Sequence, residues 1–485
     1  MIARTLAILA AALACLTLAF AGVAEGATVG AEGAPQEPGS KKHPQPPRST
    51  PHGKLVQLPG RKGCIVATSA AKKAPSCAKA RALDGPGVGF GSHAIAISPD
   101  GRSVYVAASK ADAITIFARD PKTGALKQPQ GKAGCVAAKA EHGCGLAIGL
   151  IGPNSVAVSP DGLSVYATSR GGSSLTTFHR NRKTGALTQL PPESAGCISG
   201  LPTPLCVEGR ALIDPDVVDV SRDGKNVYVG SFAGSAVVSF SRNSANGALT
   251  QLSGTAGCIA LATSGCATGV ALGNIEGLAV SPDGSAVYAA SASDNAIAVL
   301  GRDPETGALA QAVNGTGCLT NVETLGCNEG REIAGANTVA VGPKGAVYVT
   351  SLLSNSVTAF AQIEPAVIVQ NTGPAGCTIF LRSAACAFGR AMSAPEGVAV
   401  SPDGTSVYVT AFATGAIDVL DFNRRTMGFE QKPNKLGCIA PKSVPGCTVG
   451  RALGGAGSAV VSPDGRNVYS TAFTSNAVDV FRRIR

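Results

Sequence analysis

Tryptophan is missing from this chain, and aromatic residues make up only 4% of it. That removes the indole platform on which sugars commonly stack, and any repeat built on a Trp-Asp signature. Charged residues are also scarce, at 15% against 45% hydrophobic. A chain of this composition can fill a core and lacks the charge excess of a disordered one. The net charge of +10 is carried by scattered rather than clustered Lys and Arg, which argues against a nucleic-acid partner. No nucleophile elbow, phosphate loop or metalloprotease motif occurs.

Long apolar runs are missing too, apart from one at the start. Leu6 to Ala21 follows Arg4 and leads to small residues around Ala21 and Ala24, the pattern of a secretory signal peptide over residues 1–24. It is short for a membrane span, and no second run of comparable length follows, so no membrane span is expected. Residues 25–53 hold Pro35, Pro38, Pro44, Pro46, Pro47 and Pro51 among Lys and Arg, and read as a Pro-rich disordered linker. The expected product is a secreted or envelope-associated monomer whose folded part is 54–485.

What the chain has in quantity is Gly, at 61, and Pro, at 30. Its seven tyrosines, Tyr105, Tyr166, Tyr228, Tyr288, Tyr348, Tyr408 and Tyr469, stand 60 to 62 residues apart, which marks seven repeats. Each repeat has the same grammar. An apolar run such as Ala94–Ile97 meets the tight turn Ser98-Pro99-Asp100-Gly101, and a second run, Ser103–Val106, follows. A third run, Ala113–Phe117, meets a second turn, Asp120–Gly124, and a fourth run begins at Ala125. Four short strands per repeat predict an all-β, seven-bladed β-propeller. Lys54–Leu58 matches a fourth strand, and the chain stops after a third, Ala477–Phe481. The N-terminal strand should therefore close the last blade. The two tight turns of each blade share one face; the connectors between blades share the other, the top.

Beyond Cys15, the cysteines come two to a repeat, 8 to 13 residues apart. Zinc would need four ligands brought together, whereas these pairs lie in separate blades. With export to an oxidising compartment, the expected disulfides are Cys64-Cys77, Cys135-Cys144, Cys197-Cys206, Cys258-Cys266, Cys318-Cys327, Cys377-Cys386 and Cys438-Cys447. None is left over as a catalytic thiol.

One column breaks the repetition. Five residues before each first turn stand His93, Asn154, Asp216, Glu276, Asn337, Glu396 and Gly457, between nearly uniform apolar columns. At the start of the innermost strand, this column should ring the mouth of the central channel on the top face. Asn154, Asp216 and Asn337 are candidates to bind a ligand there. Asp216, Glu276 and Glu396 offer oxygen donors suited to a metal such as calcium, and His93 could serve as a general base. Arg81, Arg210, Arg331, Arg390 and Arg451 recur in the top connectors, either to brace the disulfide loops or to steady an oxyanion. Phe380, Phe388, Phe412 and Phe473 fall on adjacent top loops and could form an apolar patch for a ligand or protein partner.

The run Ser401-Pro402-Asp403-Gly404-Thr405-Ser406-Val407-Tyr408-Val409-Thr410 resembles the YVTN-type β-propeller repeat and the seven-bladed lactonase-like propellers, over residues 54–485. That resemblance implies a site at the channel mouth, with His93, Glu276 and Glu396 as its catalytic candidates. Near-identical blades, each with a disulfide, favour a rigid binding platform using the top face. The alternative is a lactone hydrolase or cycloisomerase at the channel mouth.

Overall fold

A computed structural model of the protein describes residues 52–87, 93–322, 326–423 and 428–485. The expected signal peptide and nearly all of the expected linker lie outside them. The chain forms seven sheets arranged as the blades of a propeller. In blade 2, Pro153–Val158 is innermost, followed outward by Ser164–Ser169 and Ser174–Arg180, each antiparallel to the last. Both faces of these strands are buried, because each blade is sandwiched between two others. Tyr166 and Leu175 of blade 2, for example, pack with Val218, Val229 and Phe240 of blade 3.

The expected fourth strand proves more elaborate. It is split into Leu187–Gln189 and Cys197–Ser199, both paired with the third strand, and a two-residue strand, Val207–Glu208, runs parallel outside it. The disulfides explain that outermost strand. A parallel neighbour ordinarily needs a long crossover. Here Cys197–Cys206 pins it across a short loop, and all seven disulfides take the expected pairing. Closing a loop of this length contributes roughly 2–3 kcal/mol.

The N-terminal segment closes blade 7 by supplying Leu55–Gln57, Cys64–Ala67 and Ala78–Ala80 beside Ala477–Arg483. Gly53 joins them, since its carbonyl accepts the Tyr408 hydroxyl at 2.9 Å.

Two further side-chain columns hold blade to blade. On the turn face, the Arg180 guanidinium donates to Asp100 and Ser103 of the preceding blade and to the Tyr105 hydroxyl, which in turn donates to the Gly185 carbonyl. The same clamp joins Arg242 to Asp161, Arg302 to Asp223, Arg483 to Asp403 and Arg119 to Asp464, at 2.7–2.9 Å. On the fourth strand, Gln57, Gln128, Gln189, Gln251, Gln311, Gln370 and Gln431 each accept from the backbone N–H, and donate to the C=O, of one residue of the connector arriving from the preceding blade. Among the described residues, no helix is long and apolar enough to cross a membrane.

Candidate functional site at the channel mouth

The variable column has a backbone cause. In blades 2 to 6 the pairing of first and second strands slips by one residue at Asn154, Asp216, Glu276, Asn337 and Glu396, and in blade 7 it slips at Gly457–Ser458. Each is a β-bulge, whose extra residue leaves the ladder and re-aims its side chain. In blade 1, His93 precedes the first strand at the matching place. The inner strands crowd closely here: a Cβ on Gly277 would stand 2.5 Å from the Asn337 carbonyl, and one on Gly397 2.3 Å from that of Gly457.

One sector of the ring is tied together. Asn154 donates its amide to the Asp216 carboxylate and, at 2.8 Å, to the Asp216 carbonyl. Arg170, from the loop after the second strand, stands 3.6 Å from both Asp214 and Asp216 and lies 4.4 Å over the Phe232 ring. Burial pushes the Asp216 carboxyl up to about 7; Arg170 and Asn154 oppose the rise, and Asp214 adds to it. Burial also raises Glu276 well above the usual carboxylate range, reinforced by Asp216 and Glu396 and opposed by Arg170. Glu396 rises likewise through burial. Neither glutamate carboxyl group makes a hydrogen bond among the described residues, and one Asp216 oxygen, Oδ2, is buried without a partner. Asn337 is spent within the fold, donating to the Pro395 carbonyl at 3.2 Å and accepting from Thr350 at 2.7 Å.

His93 turns elsewhere. Burial lowers its pKa, against the opposing pull of the Asp219 carboxylate and the Val339 carbonyl, so its ring faces acceptors from blades 3 and 5. Asp219 was missed in the sequence, although the signal was there. Its column, the inner-strand residue paired with each tyrosine, otherwise reads Ala96, Ala157, Ala279, Ala340, Ala399 and Val460. Asp219 accepts from the backbone N–H of Val220 at 2.8 Å and of Val280 at 2.9 Å. Burial raises its pKa, partly offset by these N–H groups and by His93.

The ring therefore brings Asn154, Asp216, Glu276 and Glu396 into one electrostatic cluster and places His93 in another. Among the described residues no group of three or more His, Cys, Asp or Glu side chains is gathered closely enough to hold a metal ion. The donor set of Asp216, Glu276 and Glu396 thus does not match a compact calcium cage, and the cation already among them is Arg170. The recurrent arginines brace: Arg81, Arg210, Arg331, Arg390 and Arg451 all donate to backbone carbonyls of the turn that leads into the first cysteine of the next blade's pair. The phenylalanine patch divides. Phe412 and Phe473 pair at 6.3 Å, with the Lys110 ammonium 4.2 Å over the latter. Phe380 instead packs into the core between blades 5 and 6. Phe388 lies on the outermost strand of blade 5, exposed, under Arg382. Loop adjacency in sequence did not distinguish the axial end of a connector from its rim.

Residues 149–260 match the family model described as lactonase, seven-bladed beta-propeller. No curated protein matches the chain. Among solved structures, a chain in the mitotic checkpoint complex is similar at TM-score 0.51 and 13% identity, over 94% of this chain and 99% of that one. A 6-phosphogluconolactonase candidate from Bacteroides uniformis aligns at TM-score 0.49 and 19% identity, over 77% and 88% respectively. One from Bacteroides fragilis aligns at 0.47 and 17%, over 69% and 81%. The chain is a seven-bladed β-propeller, similar over residues 149–260 to the seven-bladed lactonase family.

Proposed function

We propose that the protein is an exported binding scaffold that takes a small ligand at its channel mouth. The observation that carries this reading is how the polar groups are used. His93 interacts with Asp219 and the Val339 carbonyl rather than with Asp216, Glu276 or Glu396, and the recurrent arginines hold loop carbonyls, so base, acid and oxyanion cation are not gathered in one place. What stays open is Glu276, Glu396 and one oxygen of Asp216. The seven disulfides suit an oxidising compartment, which supports export. The rival, a lactone hydrolase or cycloisomerase, is favoured by Asp216, whose carboxyl is held at about 7, a value apt for proton transfer.

One paired experiment separates them. The disulfide-intact protein is screened against a fragment library and a panel of lactones, with and without divalent cations. Gly457→Leu serves as a blocked mouth, since a Cβ there already meets Thr471 Oγ1 at 3.2 Å and the Gly87 carbonyl at 3.4 Å. The scaffold reading expects fragments that bind the wild type and not Gly457→Leu, and no lactone turnover. Turnover abolished by Asp216→Asn would establish the rival.

A further inference from the structure

Resting on that reading, we infer that the mouth receives the positively charged head of a small organic amine. Of four acidic side chains at the mouth, Asp214, Asp216 and Glu276 share a single guanidinium, that of Arg170, while Glu396 is not among its partners; the 3.6 Å separations leave Arg170 short of direct hydrogen bonds to either aspartate by ordinary geometry. Asp216 Oδ2 is fully buried and unpartnered. The Glu276 and Glu396 side chains are only 6% and 4% exposed, and neither carboxyl group is tied by a hydrogen bond among the described residues, so what their oxygens reach is the channel, whereas Asp216 Oδ2 is sealed. Buried acceptors in this condition are costly unless a donor completes them.

The shape of the deficit favours an ammonium over a metal ion. A calcium ion draws six or more oxygens to about 2.3–2.6 Å, and no such group is gathered here among the described residues. An alkylammonium presents three N–H donors pointing apart and can reach carboxyl groups from different blades. The seventh place on the ring, Gly457, carries no side chain, and a Cβ there would sit 3.8 Å from Glu396 Oε2, so blade 7 puts no side chain of its own against that carboxyl group. The same side carries an aromatic wall, since Phe412 lies 3.1 Å from where a Cβ on Gly455 would stand and pairs with Phe473. Aromatic faces around this mouth already hold cations, Lys110 on Phe473 and Arg170 on Phe232. The ammonium goes to Glu276 and Glu396, and the apolar body of the amine lies against Phe412.

Three probes with one body and different heads test this: butylamine, butanol and butyrate, with calcium chloride as a fourth arm, titrated into the full, disulfide-intact chain by calorimetry. Butylamine is expected to bind, and butanol and butyrate are not. Glu276→Gln and Glu396→Gln, which keep size and fold, should each weaken butylamine roughly tenfold or more. Glu193→Gln, on the rim of blade 2, should leave it unchanged. Binding of butyrate or calcium in place of butylamine overturns the inference, and so does butylamine binding that ignores both glutamine variants. If library fragments bind and are blocked by Gly457→Leu but none is cationic, the amine is refuted and the scaffold stands. If nothing binds at the mouth, both fall.

Discussion

The turn face and the channel mouth are built from the same seven blades and treat acidic side chains in opposite ways. On the turn face, Asp100, Asp161, Asp223, Asp403 and Asp464 repeat one arrangement. Burial works against each charge, but the turn's own hydroxyl and N–H donors and the neighbouring arginine outweigh it and hold each carboxyl below its ordinary value. At the mouth, burial of Asp216, Glu276 and Glu396 is not repaid, and their pKa values rise. Identical residues in one column therefore mark where the ring is held together. Different residues at one recurring bulge mark where the fold has been left free to vary.

The held side should break first and hardest at its closure. Deleting residues 53–58 removes the strand paired with Leu55's partner Arg483, together with the Gly53 carbonyl and the Gln57 stitch. The chain is expected not to fold to a cooperative propeller, whereas deleting 25–50 should leave the urea midpoint unchanged; near-identical unfolding curves would disprove closure by this strand. Next in size is Arg180→Ala, which removes the cation from the Asp100 carboxylate, left with Ser98 and the Arg102 N–H, and one partner from the buried Tyr105 hydroxyl, left with the Gly185 carbonyl. Losing one partner of such a pair costs about 3–5 kcal/mol when both are buried. Asp100 is 28% exposed, so about 3 kcal/mol in urea unfolding is the expected result. Gln362→Ala, where the clamp is already reduced to a neutral amide bonded to Asp283 at 2.9 Å and Ser285 at 3.2 Å, should cost about 1 kcal/mol. Equal losses would mean that the guanidinium adds nothing.

Much of this was legible because the chain repeats itself. Tyrosine spacing, turn glycines, cysteine pairs and the N-terminal strand each appear as a column and need no tertiary information. The clamp was only half legible: the Asp of each Ser-Pro-Asp-Gly turn reads as a turn former, which it is, but Arg180 lies 80 residues from Asp100 and the contact crosses between blades. The mouth column was found as an irregularity among uniform neighbours, yet its cause, a bulge, shows only in the strand register. Asp219 stands alone among five alanines and a valine, and a single outlier carries no chemistry until His93 is placed beside it. Phe388 failed for the opposite reason, since a loop position says nothing of distance from the axis.

The same contrast should appear as a dome in stability against pH. A carboxyl whose folded pKa is lowered contributes stability that is present above about pH 4, its unfolded pKa, and is lost as pH falls toward the folded value. The turn-face aspartates therefore weaken the fold in acid. A carboxyl whose folded pKa is raised contributes stability that is present below about pH 4 and is lost as pH rises toward the folded value. The mouth carboxyls therefore weaken the fold from about pH 4 upward, Asp216 until about 7. Thermal unfolding from pH 3 to 8 should show a maximum near pH 4–5. Glu396→Gln should flatten the upper limb, by at most about 1.4 kcal/mol per pH unit for one group, and leave the acid limb intact. A variant that shifts both limbs equally would contradict the division.

The smallest effect tests the rule on a buried pair that belongs to neither face. Opposite the first cysteine of each disulfide, the third strands carry Thr115, Thr176 and Thr358 in blades 1, 2 and 5, but Asp418 and Asp479 in blades 6 and 7. Thr115 and Thr358 donate to connector carbonyls, those of Ala82 and Glu332. Both aspartates are fully buried and each leaves one oxygen unpartnered, and burial raises them well above the usual range, with Gln and Arg neighbours opposing. A protonated carboxyl can donate as the threonine hydroxyl does, whereas an ionised one cannot. Asp479→Thr substitutes a donor that does not titrate. Gln57 loses its 2.9 Å bond to Asp479 but keeps those to the Gly63 and Arg451 carbonyls. The variant should be close to wild type in stability at pH 4 and gain about 1 kcal/mol over it at pH 8, by the linkage that operates at the mouth. A loss at pH 8 would show that Asp479 is held as a charge, and that its Arg451 neighbour does for blade 7 what the clamp arginines do for the turn face.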